Sequence, residues 1–399
     1  MKHVEFMARA LELARYGAGH TSPNPMVGAV IVKHNRIIGE GYHPRFGQKH
    51  AEVMAIEQAH EAVEGAEMYC NLEPCSHTIP GKKTPPCTER LVREKIRKLY
   101  LSTLDPNPYV NGNGVAAIRA AGIEVETGLL AQEALELNEA YFKFIQTRLP
   151  FVNLKMALTL DGRIAAAGGD SRWISDEAAR ERVHRLRHEY DAVLIGANTL
   201  RIDNPRLTVR PLDQPIPAAR QPWRIILAGN GDLPLHSEVF RDQFREKTLV
   251  FTAARNDNHR PAVPGNADVR VIPLKSNAGG RPDILAALKY SGEMGISSVL
   301  VEGGSRIFTE FISRGLFDKI TAFIAPLILG RGIEAVGDLG IERMSGAIRL
   351  QRSEIETIND QVLLRGYRNI KETFGSLTES VACLQESSKS WAELALSNR

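Results

Sequence analysis

The residues best suited to chemistry are His50, Glu52, Cys75 and Cys87. His50-Ala51-Glu52 reads HAE, and the two cysteines bracket a loop, LEPCSHTIPGKKTPPC, that begins about twenty residues on. An imidazole and two thiolates are donors that zinc accepts at tetrahedral geometry, and three protein ligands leave a fourth position open, as catalytic zinc requires. Zinc lowers the pKa of a bound water to about 7, and Glu52 beside a ligand is placed to carry protons without binding the metal. Hydrolytic deamination of an amidine-like ring carbon needs those parts. Singly the pieces are common. His-x-Glu occurs often on surfaces, and two cysteines also read as core residues or as a disulfide.

The setting argues against the disulfide. The start, MKHVEFMARALELARYG, mixes charged and apolar residues at helical spacing and lacks the apolar core of a signal peptide. No apolar run has transmembrane length, so no membrane role is expected and a cytoplasmic, reducing compartment is. There, such cysteines bind metal or catalyse more often than they cross-link. Cys70 and Cys383 read as ordinary strand and tail residues. The pairing of H-x-E with a later Pro74-Cys75 matches part of the zinc nucleoside deaminase signature H-x-E…P-C-x-x-C. Here eleven residues, not two, separate the cysteines.

These residues need elements to hold them. The chain has 399 residues, 43% hydrophobic and 24% charged, which suits a soluble globular protein of two domains. The net charge of +3 and 6% aromatic content offer no basic, aromatic-interleaved groove, so no nucleic-acid partner is expected. Helical spacing runs over 5–16, 50–62, 88–95, 131–144 and 176–188. Short apolar runs at 27–32, 36–41, 67–72, 98–103, 151–158, 192–195, 223–228, 248–251 and 298–301 read as strands. The alternation predicts α/β layers. A boundary is expected at 146–150, with domains 1–147 and 148–370 and a Ser- and Glu-rich tail over 371–399.

TSPNPMVGAVIV, HAE, LEPCSHT…TPPC and DPNP together resemble the deaminase half of the bifunctional riboflavin-biosynthesis deaminase–reductase family. LKMALTLDGRIA, DSRWIS, VHRLRHEYDAVLIGANTL, DNPRLTVR and SSVLVEGGSRIFTEF resemble its reductase half. The resemblance implies an N-terminal cytidine-deaminase-like three-layer domain and a C-terminal dihydrofolate-reductase-like domain. It implies zinc at His50, Cys75 and Cys87, Glu52 as proton donor, and substrate contacts near Asn24 and His77. Asn24 also reads as a plain turn residue and His77 as a solvated loop histidine. The Cys75–Cys87 loop carries about three residues more than the family's common form, around Pro80 to Lys82, while Thr84-Pro85-Pro86-Cys87 is intact.

In the second half, Glu302-Gly303-Gly304-Ser305 follows a strand and opens a helix, where backbone amides favour a phosphate. The fingerprint G-x-G-x-x-G is absent, which excludes the ordinary dinucleotide fold. Arg187 and Arg210 have the fork geometry for a phosphate monoester, though each also reads as a surface arginine. The resemblance implies NADPH contacts at Leu158, Trp173, Thr199, Asp203 and the turn Gly304, Ser305, Arg306, Ile307, Phe308, Thr309 and Glu310. It implies substrate contacts at Ser171, Arg187, Leu207, Arg210 and Glu302. Trp173 reads equally as a core aromatic, Asp203 as a turn cap and Thr199 as a helix start. No acid or base is named for the reductase. The expected partner is a phosphorylated pyrimidine, and a homo-oligomer is expected. The rivals are a nucleic-acid or nucleobase deaminase with a fused binding domain, a non-catalytic zinc module with a nucleotide-sensing domain, and a reductase whose deaminase half has decayed.

Overall fold

The computed structural model describes residues 2–76, 85–210, 220–229, 233–254, 268–277 and 279–374. They form two units that divide between Thr147 and Arg148, with the residues from Lys371 on grouped with the first.

In the first unit, α1 (Lys2–Arg15) precedes the strands β1 (Gly28–Lys33) and β2 (Arg36–Tyr42) and the short helix α2 (Ala51–Glu57). Then come β3 (Glu67–Leu72), α3 (Cys87–Arg93), β4 (Lys98–Thr103), α4 (Asn113–Ala120), β5 (Glu124–Thr127), α5 (Ala131–Leu137) and α6 (Glu139–Thr147). The sheet order is β2-β1-β3-β4-β5. β1 runs antiparallel to both its neighbours, and β3, β4 and β5 run parallel. One face packs Val30, Val32 and Tyr69 against Met7, Ala10 and Leu13 of α1. The other packs Ala29, Ile31, Met68 and Leu99 against side chains of α2, α3 and α4. Strands apolar on both faces are what a sheet covered on both sides demands, and the result is three layers.

Two local departures from the sequence pattern matter. The segment 131–144, continuous by periodicity, is two helices broken at Asn138, whose carboxamide accepts from Met26 N–H at 2.7 Å and donates to Met26 C=O at 2.9 Å. The helix expected over 50–62 ends at Glu57. It sits directly on β2, because a Cβ on Gly41 would lie 2.3 Å from the Ala55 nitrogen and one on Gly39 2.4 Å from the Ala55 oxygen.

The second unit holds β6 (Phe151–Thr159), β7 (Arg163–Ala166), α7 (Glu177–Glu189), β8 (Ala192–Gly196), α8 (Ala197–Asp203), β9 (Trp223–Ala228), α9 (Glu238–Arg241), β10 (Thr248–Ala253) and β11 (Arg270–Leu274). It continues through α10 (Ile284–Glu293), β12 (Ser298–Val301), α11 (Ser305–Ser313), β13 (Lys319–Ala325), β14 (Gly332–Glu334), β15 (Gln351–Ile358) and β16 (Gln361–Tyr367). Among the described residues, nine strands form one sheet, β11-β10-β9-β8-β12-β6-β13-β16-β15. It is parallel from β11 to β13 and antiparallel at β16 and β15. On one face, Val152, Leu154 and Val301 pack with Ile284 and Leu288 of α10 and Phe308 and Phe311 of α11. On the other, Val193 and Ile195 pack with Leu200 of α8, and Phe323 and Leu363 with Ala179 and Val183 of α7.

Candidate active sites

His50 is the residue before α2, with extended backbone and no capping bond from its side chain. Its Nδ1 lies 3.5 Å from Cys75 Sγ and 3.3 Å from Cys87 Sγ. Cys75 follows the end of β3. Cys87 is the buried first residue of α3, and its N–H donates to Cys75 Sγ at 3.3 Å. One ligand atom from each residue lies within 4.8 Å of the other two. A tetrahedral zinc about 2.0–2.3 Å from each would set nitrogen–sulfur separations of roughly 3.5 Å, so the donor set and its spacing fit the metal. Hydrogen bonds from Cys87 and His50 push the Cys75 thiol down, whereas Cys75 itself and burial push the Cys87 thiol up.

Glu52, in the first turn of α2, is 3% exposed, and its Oε2 is buried without a hydrogen-bond partner among the described residues. Burial pushes its carboxyl up, His50 opposes that, and Cys75 adds to it. Asn24 bonds through Nδ2 to His43 Nε2 at 3.1 Å. His43 Nδ1 in turn bonds the Lys49 carbonyl at 3.0 Å, so Nδ1 carries the proton and Nε2 accepts. The buried His43 ring stands edge-on to His50, centroids 5.3 Å apart. Sequence reasoning passed over His43, although a histidine just after β2 and seven residues before His50 is a local signal. The Asn24 loop is steadied at Met26, which is gripped by Asn138 and by Asn71, whose Nδ2 donates to Met26 C=O at 3.0 Å. His77 lies outside the described residues.

In the second unit, Glu302 follows β12 and lies opposite Lys155 of β6. Arg187 of α7 forks onto it, Nε to Oε1 at 2.6 Å and Nη2 to Oε2 at 2.9 Å, and Lys155 Nζ is 3.7 Å from Oε2. Arg187 Nη1 also donates to the Thr208 carbonyl. The Arg187 fork expected for a phosphate is therefore bonded to a carboxylate, which leaves Arg210, exposed on the loop after α8, as the phosphate candidate. Burial pulls the Lys155 pKa down, Glu302 opposes that, and Arg187 adds to it. Lys155 was also missed from sequence, since one lysine in an apolar strand gives no local sign of its partner.

Burial alone would raise the Glu302 carboxyl, but Arg187 and Lys155 outweigh it and hold it at about 2. A depressed pKa stabilises the fold above the ordinary value of 4.5 and ceases to do so as pH falls through about 2. Glu302→Gln, which leaves two part-buried cations without their carboxylate, should cost up to roughly 3–5 kcal/mol at neutral pH. It should also make stability fall less steeply between pH 4.5 and 2, as thermal unfolding across that range will measure.

The loop carrying Leu207 and Arg210 is held by side chains from several elements. Leu207 is buried with φ 54°. Gln221 pairs with both backbone groups of Val209, accepting at 2.8 Å and donating at 3.0 Å. Arg210 N–H donates to His184 Nδ1 at 3.3 Å, and burial together with Arg187 and Arg210 holds that imidazole neutral, its pKa down at about 4.

β8 and β12 are parallel neighbours; α8 starts directly at the carboxyl end of β8, and α11 follows β12 after the turn Glu302-Gly303-Gly304. Two helix N-termini thus open side by side, a setting that favours anionic ligand groups. A Cβ on Gly303 would sit 3.0 Å from the Gly196 nitrogen, a tight contact that favours glycine there. Gly304 N–H donates to Thr199 Oγ1 at 3.3 Å. Ser305 and Ile307 are half-buried and Arg306 is exposed. Phe308 points into the core, Thr309 accepts from Gly337 N–H, and Glu310 accepts from Asn277. Thus Gly304, Ser305 and Thr199 meet at the turn, while Phe308 supports it from beneath. Leu158 packs partly buried on β6, and Asp203 ends α8 half-buried. Ser171 is half-buried, and Trp173, 68% exposed, lies under the Arg180 guanidinium at 4.5 Å.

Comparison with known proteins places both halves. Residues 1–103 match the cytidine and deoxycytidylate deaminase zinc-binding region, and residues 150–364 match the RibD C-terminal domain. The chain is 41% identical to the riboflavin biosynthesis protein RibD of Aquifex aeolicus, over 90% of this chain and 96% of that one. It is 37% identical to the Escherichia coli protein of the same name, over 91% and 99%. Among solved structures, a Thermotoga maritima diaminohydroxyphosphoribosylaminopyrimidine deaminase/5-amino-6-(5-phosphoribosylamino)uracil reductase matches with a TM-score of 0.79 at 38% identity, covering 92% of this chain and 99% of that one. Acinetobacter baumannii RibD matches with a TM-score of 0.80 at 35% identity, over the same shares.

Proposed function

The chain belongs to the RibD family of riboflavin-biosynthesis proteins, and from that premise we propose that its two activities run on the two constellations described above. It is a bifunctional enzyme, a zinc-binding deaminase joined to a reductase. The first unit deaminates a diaminopyrimidinone ribosylamino phosphate, and the second reduces the ribosyl group of the product to ribityl with NADPH. The observation that carries the reading is the meeting of one imidazole nitrogen and two sulfurs at zinc-like spacing beside a buried carboxylate oxygen that has no hydrogen-bond partner among the described residues. The measurement that tests it is mass spectrometry after incubation with the diamino substrate. Exchange of one amino group for oxygen, with release of ammonia, is expected without NADPH, and the same exchange plus gain of two hydrogens is expected with it. Any other pair of products would overturn it.

In the deaminase, His50 Nδ1, Cys75 Sγ and Cys87 Sγ would hold zinc, which when bound supplies the Lewis acidity that activates water at neutral pH. Glu52 takes the proton of the attacking water at its unpaired oxygen and returns it to the departing amine. Its raised pKa lets the carboxyl hold that proton between transfers. His43, with Nδ1 tied to Lys49, holds the Asn24 carboxamide against the substrate ring.

In the reductase, bound NADPH supplies the hydride and the protein supplies orientation. The N-termini of α8 and α11, with Thr199 and Gly304, receive the cofactor phosphates. Glu302, fixed by Arg187, faces the sugar, and Arg210 takes the substrate phosphate. Arg210→Ala should weaken binding of the phosphorylated substrate by about 1.5–3 kcal/mol and hardly affect a dephosphorylated one. Steady-state KM values for the two substrates decide this, and equal losses on both would remove the assignment.

A further inference from the structure

We propose that Glu73 is a positioning residue of the deaminase, holding the loop of residues 105–112 against the metal-bearing end of β3. Glu73 lies two residues before Cys75 and is 4% exposed. Its Oε2 accepts from Asp105 N–H at 3.2 Å and Gly112 N–H at 2.9 Å, and its Oε1 from Val115 N–H at 3.0 Å. Gly112 is the residue before α4, with φ 85° and no side chain to cap the helix. Val115 is the third residue of α4. The carboxylate therefore does from a neighbouring strand what a capping side chain does from within the helix, and its charge sits at the helix's positive end.

The joint is tight on its other side as well. A Cβ on Gly114 would lie 2.3 Å from the Pro74 carbonyl oxygen, so strand end and helix start touch through backbone. The loop is fastened at its beginning too, since Asp105 Oδ1 accepts from Asn107 N–H at 2.9 Å and from Tyr141 OH at 2.8 Å. β3 and β4 are adjacent and parallel, so Cys75 and the 105–112 loop leave the sheet at the same edge. Parallel sheets bind ligands outside the carboxyl ends of their strands, which makes this loop a wall of the pocket over the metal site. Only a carboxylate satisfies three converging donors. A carboxamide would turn its own N–H₂ toward at least one of them.

The proposal rests on the deaminase reading of the His50 site. Full-length Glu73→Gln and Gly114→Ala, which disturb the joint from opposite sides, are compared with wild type for zinc content and for deamination KM and kcat. Both variants are expected to keep one zinc per chain. Both should keep kcat within about twofold and raise KM at least about tenfold. Unchanged KM in both, even with a lower melting temperature, would make Glu73 merely structural and overturn the proposal. So would zinc loss from Glu73→Gln, because the residue would then serve the metal and not the wall. Absence of deamination by wild type would instead fail the parent reading, and is recognised by that control.

Discussion

Glu52→Gln keeps its zinc and loses roughly 10²–10⁴-fold in deamination rate, the contribution of a positioned general acid–base. The substitution nearly conserves volume, so the buried first turn of α2 has no reason to shift. What changes is that a carboxamide has no transferable proton. The metal should stay, because one imidazole nitrogen and two sulfurs surround the site and Glu52 is not among them. Reduction of pre-deaminated substrate by the same variant should match wild type, which guards against general misfolding. Ammonia release and elemental analysis are the measurements, and a near-wild-type rate would remove Glu52 from the proton path.

Cys75→Ser and Cys87→Ser should each lower zinc occupancy and abolish deamination, while NADPH-dependent reduction of pre-deaminated substrate persists. A serine hydroxyl does not ionise near neutral pH, so two donors would remain where three are needed. The loss should be cooperative, since the Cys87 N–H bonds Cys75 Sγ and both sulfurs face His50 Nδ1. The sulfurs belong to the unit ending at Thr147, and the Arg187–Glu302 cluster to the unit beginning at Arg148. Full zinc in Cys87→Ser would overturn the ligand set. Loss of both activities in a soluble, folded variant would count against separate sites.

The meeting of His50, Cys75 and Cys87 was legible because their residue types announce themselves and because a metal constrains ligand atoms, not the chain between them. A longer loop costs only a logarithmic closure term, so eleven intervening residues did not hide the pairing. The central strands β1, β3, β4, β8 and β12 were legible because burial on both faces leaves unbroken apolar runs. What escaped depends on partners far away in sequence. Nothing near Asn138 says that a helix should break there, since its reason is Met26, 112 residues away. Arg187 has the right shape for phosphate, yet its fork closes on Glu302, 115 residues on. Lys155, Gln221 and Glu73 are single polar residues whose roles arise only when another segment arrives. The inward turn of Phe308 was readable, since Phe311 and Ile312 share its buried face.

The grip of Asn138 on Met26 has a consequence for synthesis. At roughly 5–20 residues per second, the ribosome needs on the order of ten seconds to travel from one to the other. During that interval the Asn24 loop, β1, Cys75 and Cys87 have emerged, but the clamp on Met26 has not. The region matched over 1–103 therefore ends before the residues that hold Met26 and Glu73 in place. A nascent chain halted there has all three metal ligands but lacks Gly112, Val115, Asn138 and Tyr141. The three candidate metal ligands are thus synthesised before the contacts that fix the loops around them.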